Sequence, residues 1–320
     1  MNRTAIKRLY LRLLELAGQE QRLVRRIQRG RFLAVLNLHR VSPRMNPFSP
    51  PISPEDFADL LVFLKRHFSM ASLREDPPRP AVVLSFDDGY QDFVEYAMPI
   101  LSRHGMRANQ NIVPQCVESG TPLWNTQLYD FLGAASPALL RSFRLPGFSL
   151  SPPDSSVRSK AAFGAALSHF LKMRPRSERE ALWQSIVPLL QEVKPDGTTR
   201  MMDRASVLQA AAFHDIGVHS YAHDSMGHES DGFFEQDLAR CAAYFKDVLH
   251  LPLEIYAFPN GSFRPSQLDI LKRHGMRHVL LVEEKFARGD GGVYPRISVA
   301  GESACEVRFQ ALGYRARGVL

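Results

Sequence analysis

The sequence predicts an α/β fold with a mainly parallel sheet, a helical insertion and an N-terminal amphipathic helical arm. Short apolar runs rich in valine, isoleucine and leucine recur along the chain, and helical periodicities separate them. A third observation marks the insertion: residues 126–212 are Ala/Leu-rich and carry no strand signal. Roughly seven or eight runs read as strands, which suits a barrel, but periodicity does not separate a barrel from an open sheet. In both architectures functional sites form in the loops that follow strand C-termini.

At the N-terminus Ile6, Leu9, Leu13 and Leu16 recur at helical spacing beside Tyr10, with Lys7, Arg8 and Arg12 around that stripe. Gly18 marks the end of this helix, and a second, Arg-rich helical piece covers residues 20–28. Residues 32–38 read as a buried strand ending in His39-Arg40-Val41, followed by a Pro-rich loop. Ser53-Pro54-Glu55-Asp56 is a helix start, with Ser as N-cap, Pro in the first turn and acids near the positive helix end. That helix should bury Phe57, Leu60, Leu61 and Leu64. Residues 81–86 suit a central parallel strand, followed by a helix over 93–104 closed by Gly105 and a strand over 108–113. Inside the insertion, helical patterns cover 160–173 and 178–191, and a Pro/Ser segment lies at 145–156. Strand signals resume at 215–218, 253–258, 278–282 and 296–299, with helices near 232–249 and 265–274 between them.

The charge is unevenly placed. The chain holds 40 Lys and Arg against 33 Asp and Glu, a net +7. Residues 1–31 hold nine basic and two acidic residues, so the whole excess lies on this arm and the remaining 31 basic and 31 acidic groups cancel. The body therefore has no global field for nucleic acid, and the arm lacks interleaved aromatics, so no nucleic-acid partner is expected. The arm's best apolar stretch, residues 9–17, is interrupted by Arg12 and Glu15 and has no small-residue cleavage site, unlike a secretory signal. No segment reaches the roughly 18 apolar residues of a membrane span. These readings predict a cytoplasmic protein, with the basic amphipathic arm either docked on the inner membrane face or packed on the body with its charges in water. Cys116, Cys241 and Cys305 have neither metal-knuckle nor redox spacing and read as reduced thiols.

Two short motifs carry chemistry. Asp87 and Asp88 follow a buried strand directly, and adjacent carboxylates repel unless a cation or proton neutralises them. Asp-Gly is also common in plain surface turns. His219 and His223, in His-Ser-Tyr-Ala-His, are spaced to put both imidazoles on one side of a helical turn, with Gly217 allowing close packing just before them. One carboxylate and two imidazoles leave an open coordination position, the layout of a catalytic rather than a structural zinc site. The spare carboxylate can then serve as a base.

Phe86-Asp87-Asp88-Gly89-Tyr90 followed by His219-Ser220-Tyr221-Ala222-His223 resembles the polysaccharide deacetylase family, the NodB-homology group of carbohydrate esterases (family 4). Leu38-His39-Arg40-Val41, Ala257-Phe258-Pro259-Asn260-Gly261 and Tyr294-Pro295-Arg296 resemble further family segments in the same order. The resemblance implies a distorted, incomplete (β/α) barrel: a basic arm over 1–31 and a catalytic domain over 32–320, with 126–212 inserted. It implies that Asp88, His219 and His223 bind a divalent metal, zinc first. It also implies that Asp87 is the general base and that the backbone N–H of Asn260 helps form an oxyanion hole. The family's base-orienting Arg has no counterpart here, since Ala257 stands in its place; Arg296 is the candidate replacement. The family's late Leu-x-His general acid is also missing, and His39 is the candidate substitute, set against a buried structural histidine. Trp124 reads as a sugar-stacking or a core residue. The implied activity is metal-dependent removal of an N-acyl group, acetyl or formyl, from an amino sugar in a surface polysaccharide or lipid-linked precursor. The alternatives are a non-catalytic carbohydrate-binding member of the fold and an amidohydrolase of a small non-sugar amide.

Overall fold

The computed structural model of the protein describes residues 3–75, 78–194, 199–287 and 291–315. The first two residues of the expected arm and the last five of the expected catalytic domain lie outside them. Eight strands occur in this order: β1 (Leu33–Leu38), β2 (Ser69–Ala71), β3 (Ala81–Phe86), β4 (Asn109–Ile112), β5 (Asp215–Val218), β6 (Ile255–Ala257), β7 (His278–Val282) and β8 (Val293–Ser298). Every pairing between them is parallel. The ring runs β1–β3–β4–β5–β6–β7–β8 and closes where β8 returns to β1. Seven strands thus form a closed barrel, one fewer than a complete eight-stranded (β/α) barrel. The short strand β2, which has no apolar run to announce it, pairs only with the first half of β3, while β4 pairs with its last two residues.

Strand periodicity divides the side chains into two sets. Leu36, Leu38, Val82, Leu84 and Phe86 point outward into the main core with the surrounding helices. Leu33, Val35, Ala81, Val83, Ala257, Leu280 and Tyr294 point inward and fill the barrel. Two residues beyond Val83 and Tyr294 the inward positions turn polar, as Ser85 and Arg296. One further step along β3 brings Asp87. The barrel is therefore apolar at its floor and ionisable at the rim where the strands end.

The helix Pro54–His67 begins as expected, with the Asp56 N–H donating to Ser53 Oγ at 3.0 Å, and it buries the four predicted apolar residues. The arm forms two helices, Arg3–Leu16 and Gln19–Gly30. Leu11, Leu23, Val24 and Ile27 join the main core, and the Arg308 guanidinium donates to Glu15, Glu20 and Asp59 at 2.6–2.8 Å. Both acids of the arm thus face the body. The expected stripe does not. Ile6, Leu9, Leu13 and Leu16 are 48–84% exposed, because the packing contacts come from Leu11 on another face.

Four helices, Trp124–Ala134, Pro137–Ser142, Val157–Lys172 and Arg176–Gln191, form the insertion. They enclose their own apolar cluster around Phe131, Leu132, Phe163, Leu167, Trp183 and Ile186. The helix Arg204–Ala211 packs Val207 and Ala210 into the main core instead, so the separately packed part ends ahead of residue 212. Trp124 packs edge-on against Trp183, with ring centroids 5.7 Å apart, inside this satellite core. All three cysteines are free. Among the described residues no helix is long and apolar enough to cross a membrane.

Candidate active site

β3 delivers Asp87 and Asp88 to the rim, both buried. Asp88 and Gly89 take left-handed φ values of 78° and 76°. Glycine at residue 89 serves the left-handed turn; a Cβ there would rest 3.4 Å from the Ile112 backbone, an ordinary contact. β5 delivers His219, whose N–H donates to the Ile112 carbonyl at 2.8 Å. Gly217 lies against β4 and β6: a Cβ there would meet Asn111 Oδ1 at 2.3 Å and Ile255 at 2.8 Å, as its proposed packing role requires.

The segment from His219 to His223 does not form the expected helical turn. It is an irregular loop with left-handed φ at Ser220 (54°) and His223 (59°). Such backbone costs on the order of 1–3 kcal/mol per residue and persists where its surroundings over-determine it. Here Asp237 accepts the Tyr221 N–H at 3.1 and 3.2 Å, and Ser220 Oγ accepts the Asp224 N–H at 2.9 Å. Arg179 and Arg176 of the insertion clamp the fully buried Asp224 carboxylate at 2.6 and 3.1 Å. The imidazoles still converge, with ring centroids 5.0 Å apart.

Ligand-type atoms of Asp88, His219 and His223 all lie within 4.8 Å of one another. Asp88 Oδ1 is 3.4 Å from His223 Nε2 and 3.7 Å from His219 Nε2. Two ligands each about 2.1 Å from a tetrahedral zinc ion stand about 3.4 Å apart, so the spacing fits one small cation. The His219 Nδ1 faces the Ala257 carbonyl at 2.8 Å; with Nδ1 protonated it donates there, leaving the Nε2 lone pair toward Asp88. Burial pushes the His219 pKa down to about 4, against the pull of Asp87, so the ring is neutral near pH 7, as a ligand must be. Asp88 Oδ1 is buried and has no hydrogen-bond partner.

Asp87 has a different environment. The Arg296 guanidinium grips both its oxygens, at 2.8 and 2.7 Å, and Asn111 Nδ2 donates to Oδ1 at 2.7 Å. Arg296, fully buried, also donates to the Leu281 carbonyl and Ser85 Oγ at 3.1 Å. Burial would raise the Asp87 pKa, but Arg296 and then His219 outweigh it and hold the carboxyl below the ordinary range.

His39 follows β1, is exposed rather than structurally buried, and lines the same cavity as Asp87, Asp88, His219, His223 and Asn260. Asn260 takes a left-handed φ of 57°, and its Nδ2 donates to Ser225 Oγ at 3.0 Å. The cavity holds ≈ 660 Å³. Trp124 is not among its walls. All seven candidate residues therefore converge on one rim: six line the cavity and Arg296 lies behind Asp87. Sequence reasoning missed Asn111 and Ser85 beneath Asp87, and Asp224 and Asp237 behind the histidine loop. It also missed the insertion's contribution of Asn125, Thr126, Tyr129, His169, Lys172 and Met173 to the cavity wall. One signal was available for the first pair: Asn109-Gln110-Asn111 is a fully buried polar run inside a strand.

A family model described as polysaccharide deacetylase matches residues 181–279, a stretch that holds His219, His223 and Asn260 but not Asp87 or Asp88. A comparison with curated proteins finds no match. Among solved structures, the deacetylase PplD of Streptococcus pyogenes superposes with a TM-score of 0.57 at 14% identity, covering 88% of this chain and 98% of that one. IcaB from Ammonifex degensii gives 0.53 at 18% identity, covering 88% and 97%. The BpsB deacetylase domain of Bordetella bronchiseptica gives 0.51 at 13%, covering 84% and 96%. Such identities speak for the fold. In sequence across residues 181–279, and in fold across most of its length, the chain resembles the NodB-homology polysaccharide deacetylases.

Proposed function

We propose that the protein is a metal-dependent N-deacylase of an amino sugar. The observation that carries this reading is one buried carboxylate, Asp88, within 3.7 Å of two imidazoles, beside a second carboxylate, Asp87, gripped by the Arg296 guanidinium. The family match and the fold support carbohydrate de-N-acetylation. Asp88, His219 and His223 would hold a divalent cation, zinc first given the nitrogen-rich donor set. When bound, that cation supplies Lewis acidity toward the acyl carbonyl and makes a water acidic enough to deprotonate near neutral pH.

The chain's own groups carry the remaining work. Asp87 accepts the proton of the attacking water; Arg296 and Asn111 hold its carboxylate fixed while it does so. The Asn260 N–H donates to the tetrahedral oxyanion as it forms. His39, at the open edge of the cavity, delivers a proton to the departing amine. The products are a free amino sugar and acetate or formate.

We further propose a membrane-attached, lipid-linked substrate and a peripheral site on the inner membrane face. The arm supports this: it carries exposed Ile6, Leu9, Tyr10, Leu13 and Leu16 and exposed Arg12, Arg22, Arg25 and Arg29. Apolar side chains that insert between headgroups beside cations that attract anionic lipid are the pattern of an interfacial helix. Removing residues 1–31 should abolish sedimentation with anionic vesicles, and undiminished sedimentation would exclude this site.

The decisive experiment is metal analysis of the purified protein combined with acetate release from N-acetylated sugars, for wild type and Asp87→Asn. We expect about one equivalent of metal in both and a loss of turnover on the order of 10²–10⁴-fold in the variant. Equal turnover would remove Asp87 as the base, and absence of bound metal would favour the non-catalytic alternative.

A further inference from the structure

The helix Val157–Lys172 sends one face into the cavity: His169, Lys172 and Met173, at positions i, i+3 and i+4, all line it. Lys172 Nζ has neither an ion pair nor a hydrogen bond among the described residues. Burial lowers its pKa, and the charge facing it is the Asp88 carboxylate, which raises it. A lysine in a helix's last turn is favoured by the helix dipole. That effect is satisfied by a solvated ammonium and gives no reason to draw the side chain into a cavity.

The charges around Lys172 decide what it faces in the working protein. Arg296 cancels Asp87, and Arg40 pairs with Asp92 at 2.7 Å. Under the function proposed above, on which this inference rests, Asp88 is taken up by a divalent cation whose charge exceeds its own. Lys172 then has no counter-ion, and a half-buried ammonium without one is unfavourable. The lining's own charges balance, Arg40 and Lys172 against Asp87 and Asp88, so with the cation bound the cavity would carry excess positive charge. We propose that Lys172, with His169 one turn before it, forms an anion-binding subsite, and that the amino sugar processed here carries a phosphate or carboxylate group.

The test is calorimetry on the zinc-loaded full chain. Glucosamine 1-phosphate, 2-amino-2-deoxyglucuronate and glucosamine, which shares their amino group but has no anionic group, are titrated into wild type, Lys172→Met and Lys172→Arg. In wild type at least one anionic sugar should bind about 10- to 100-fold more tightly than glucosamine, the usual range for a charged hydrogen bond. Its preference between phosphate and carboxylate names the group. Lys172→Met should abolish the advantage and Lys172→Arg should restore most of it. Equal affinities in wild type would overturn the subsite, as would an advantage that survives in Lys172→Met, which would assign the anion to the cation instead. Should Lys172→Met melt abnormally, Lys172→Gln replaces it. Turnover is not needed for this readout. An anionic advantage without acetate release from any N-acetyl sugar would refute the deacylase reading alone. Acetate release without the advantage would refute the subsite alone.

Discussion

The two walls of the cavity are built on different principles. The barrel rim holds its ionisable groups at the ends of parallel strands, where inward positions are set by the ladder and a buried polar network ties them together: Asp87 to Arg296 and Asn111, and Arg296 to Ser85 and the Leu281 carbonyl. The insertion has its own apolar core and offers the cavity scattered polar and apolar side chains from two helices and their ends. Its Arg176 and Arg179 reach the residue next to His223. The difference separates duties. The rim can fix reacting groups to within fractions of an ångström, whereas the insertion can change its residues without disturbing the ladder. Substitutions on the rim should therefore alter stability, metal content and kcat, and substitutions of the insertion's cavity-facing residues should alter KM.

The largest effect is expected at Arg296. Arg296→Met leaves the Asp87 carboxylate buried with Asn111 as its remaining strong donor, and breaking a buried pair by removing one partner costs about 3–5 kcal/mol. Denaturant unfolding at pH 7 should show that loss. A change below about 1 kcal/mol would mean that water already reaches Asp87, and the picture of a rigid rim would fail.

Next is a pH effect behind the histidine loop. Burial, reinforced by the nearby Asp224 charge, raises the Asp237 pKa from 3.8 to about 7. Its folded pKa therefore lies above its unfolded one. The stability it contributes is complete below about pH 4 and is lost as pH rises through 7. The loss is on the order of a few kcal/mol. Asp237→Asn still offers the Tyr221 N–H an acceptor but cannot ionise, so its unfolding free energy should decline less than that of wild type between pH 5 and pH 8. Parallel curves for the two proteins would show that Asp237 does not titrate in that window.

These two groups also show where sequence reading reached and where it stopped. Asp87, Asp88, His219 and His223 were legible because the Asp pair and the first histidine sit at the ends of apolar runs, His223 stands four residues after His219, and strand ends in a parallel α/β fold share one rim. Arg296 was reachable as a candidate because it lies on a strand, but its bidentate grip depends on β8 closing against β1, a long-range pairing with no local signature. The helical path expected for the histidine pair failed for a related reason. A spacing of four is helical by default, and the Asp237 and Asp224 contacts that bend this loop come from residue 237 and from the insertion's arginines. The exposed stripe of the arm was visible as a period, but not its orientation, since Leu11 and the exposed leucines are equally apolar. Nothing in residues 126–212 indicated that Lys172 would line the cavity that holds Asp88 and the two imidazoles, because that placement follows from how a satellite core docks on the barrel.

A smaller effect is expected at the latch between the two walls. Arg179→Ala leaves Asp224 with Arg176 as its remaining ion-pair partner, loosening the loop that carries His223. Residues that orient metal ligands typically change metal affinity by about 10–100-fold. Zinc competition with a chromogenic chelator should show a weakening in that range. Unchanged affinity would mean that the insertion packs against the rim without positioning it.

The smallest effect is the one that most directly tests the division of labour. Met173 lines the cavity and is 51% exposed, so Met173→Ala removes little packing and should change stability by less than about 0.5 kcal/mol. The hydrogen-bond partners found for Asp87 and for the loop of His219 and His223 do not include it, so the loss should fall on contact with bound sugar. Removing an interaction that is equal in ground and transition states raises KM and leaves kcat in place. A rise of about 2- to 10-fold in KM at constant kcat, measured on whichever N-acetylated sugar turns over, is the expected result. A fall in kcat at constant KM would place the insertion within reach of the reacting atoms. The barrel rim would then not be the sole source of the chemistry, and the contrast between the two walls would have to be redrawn.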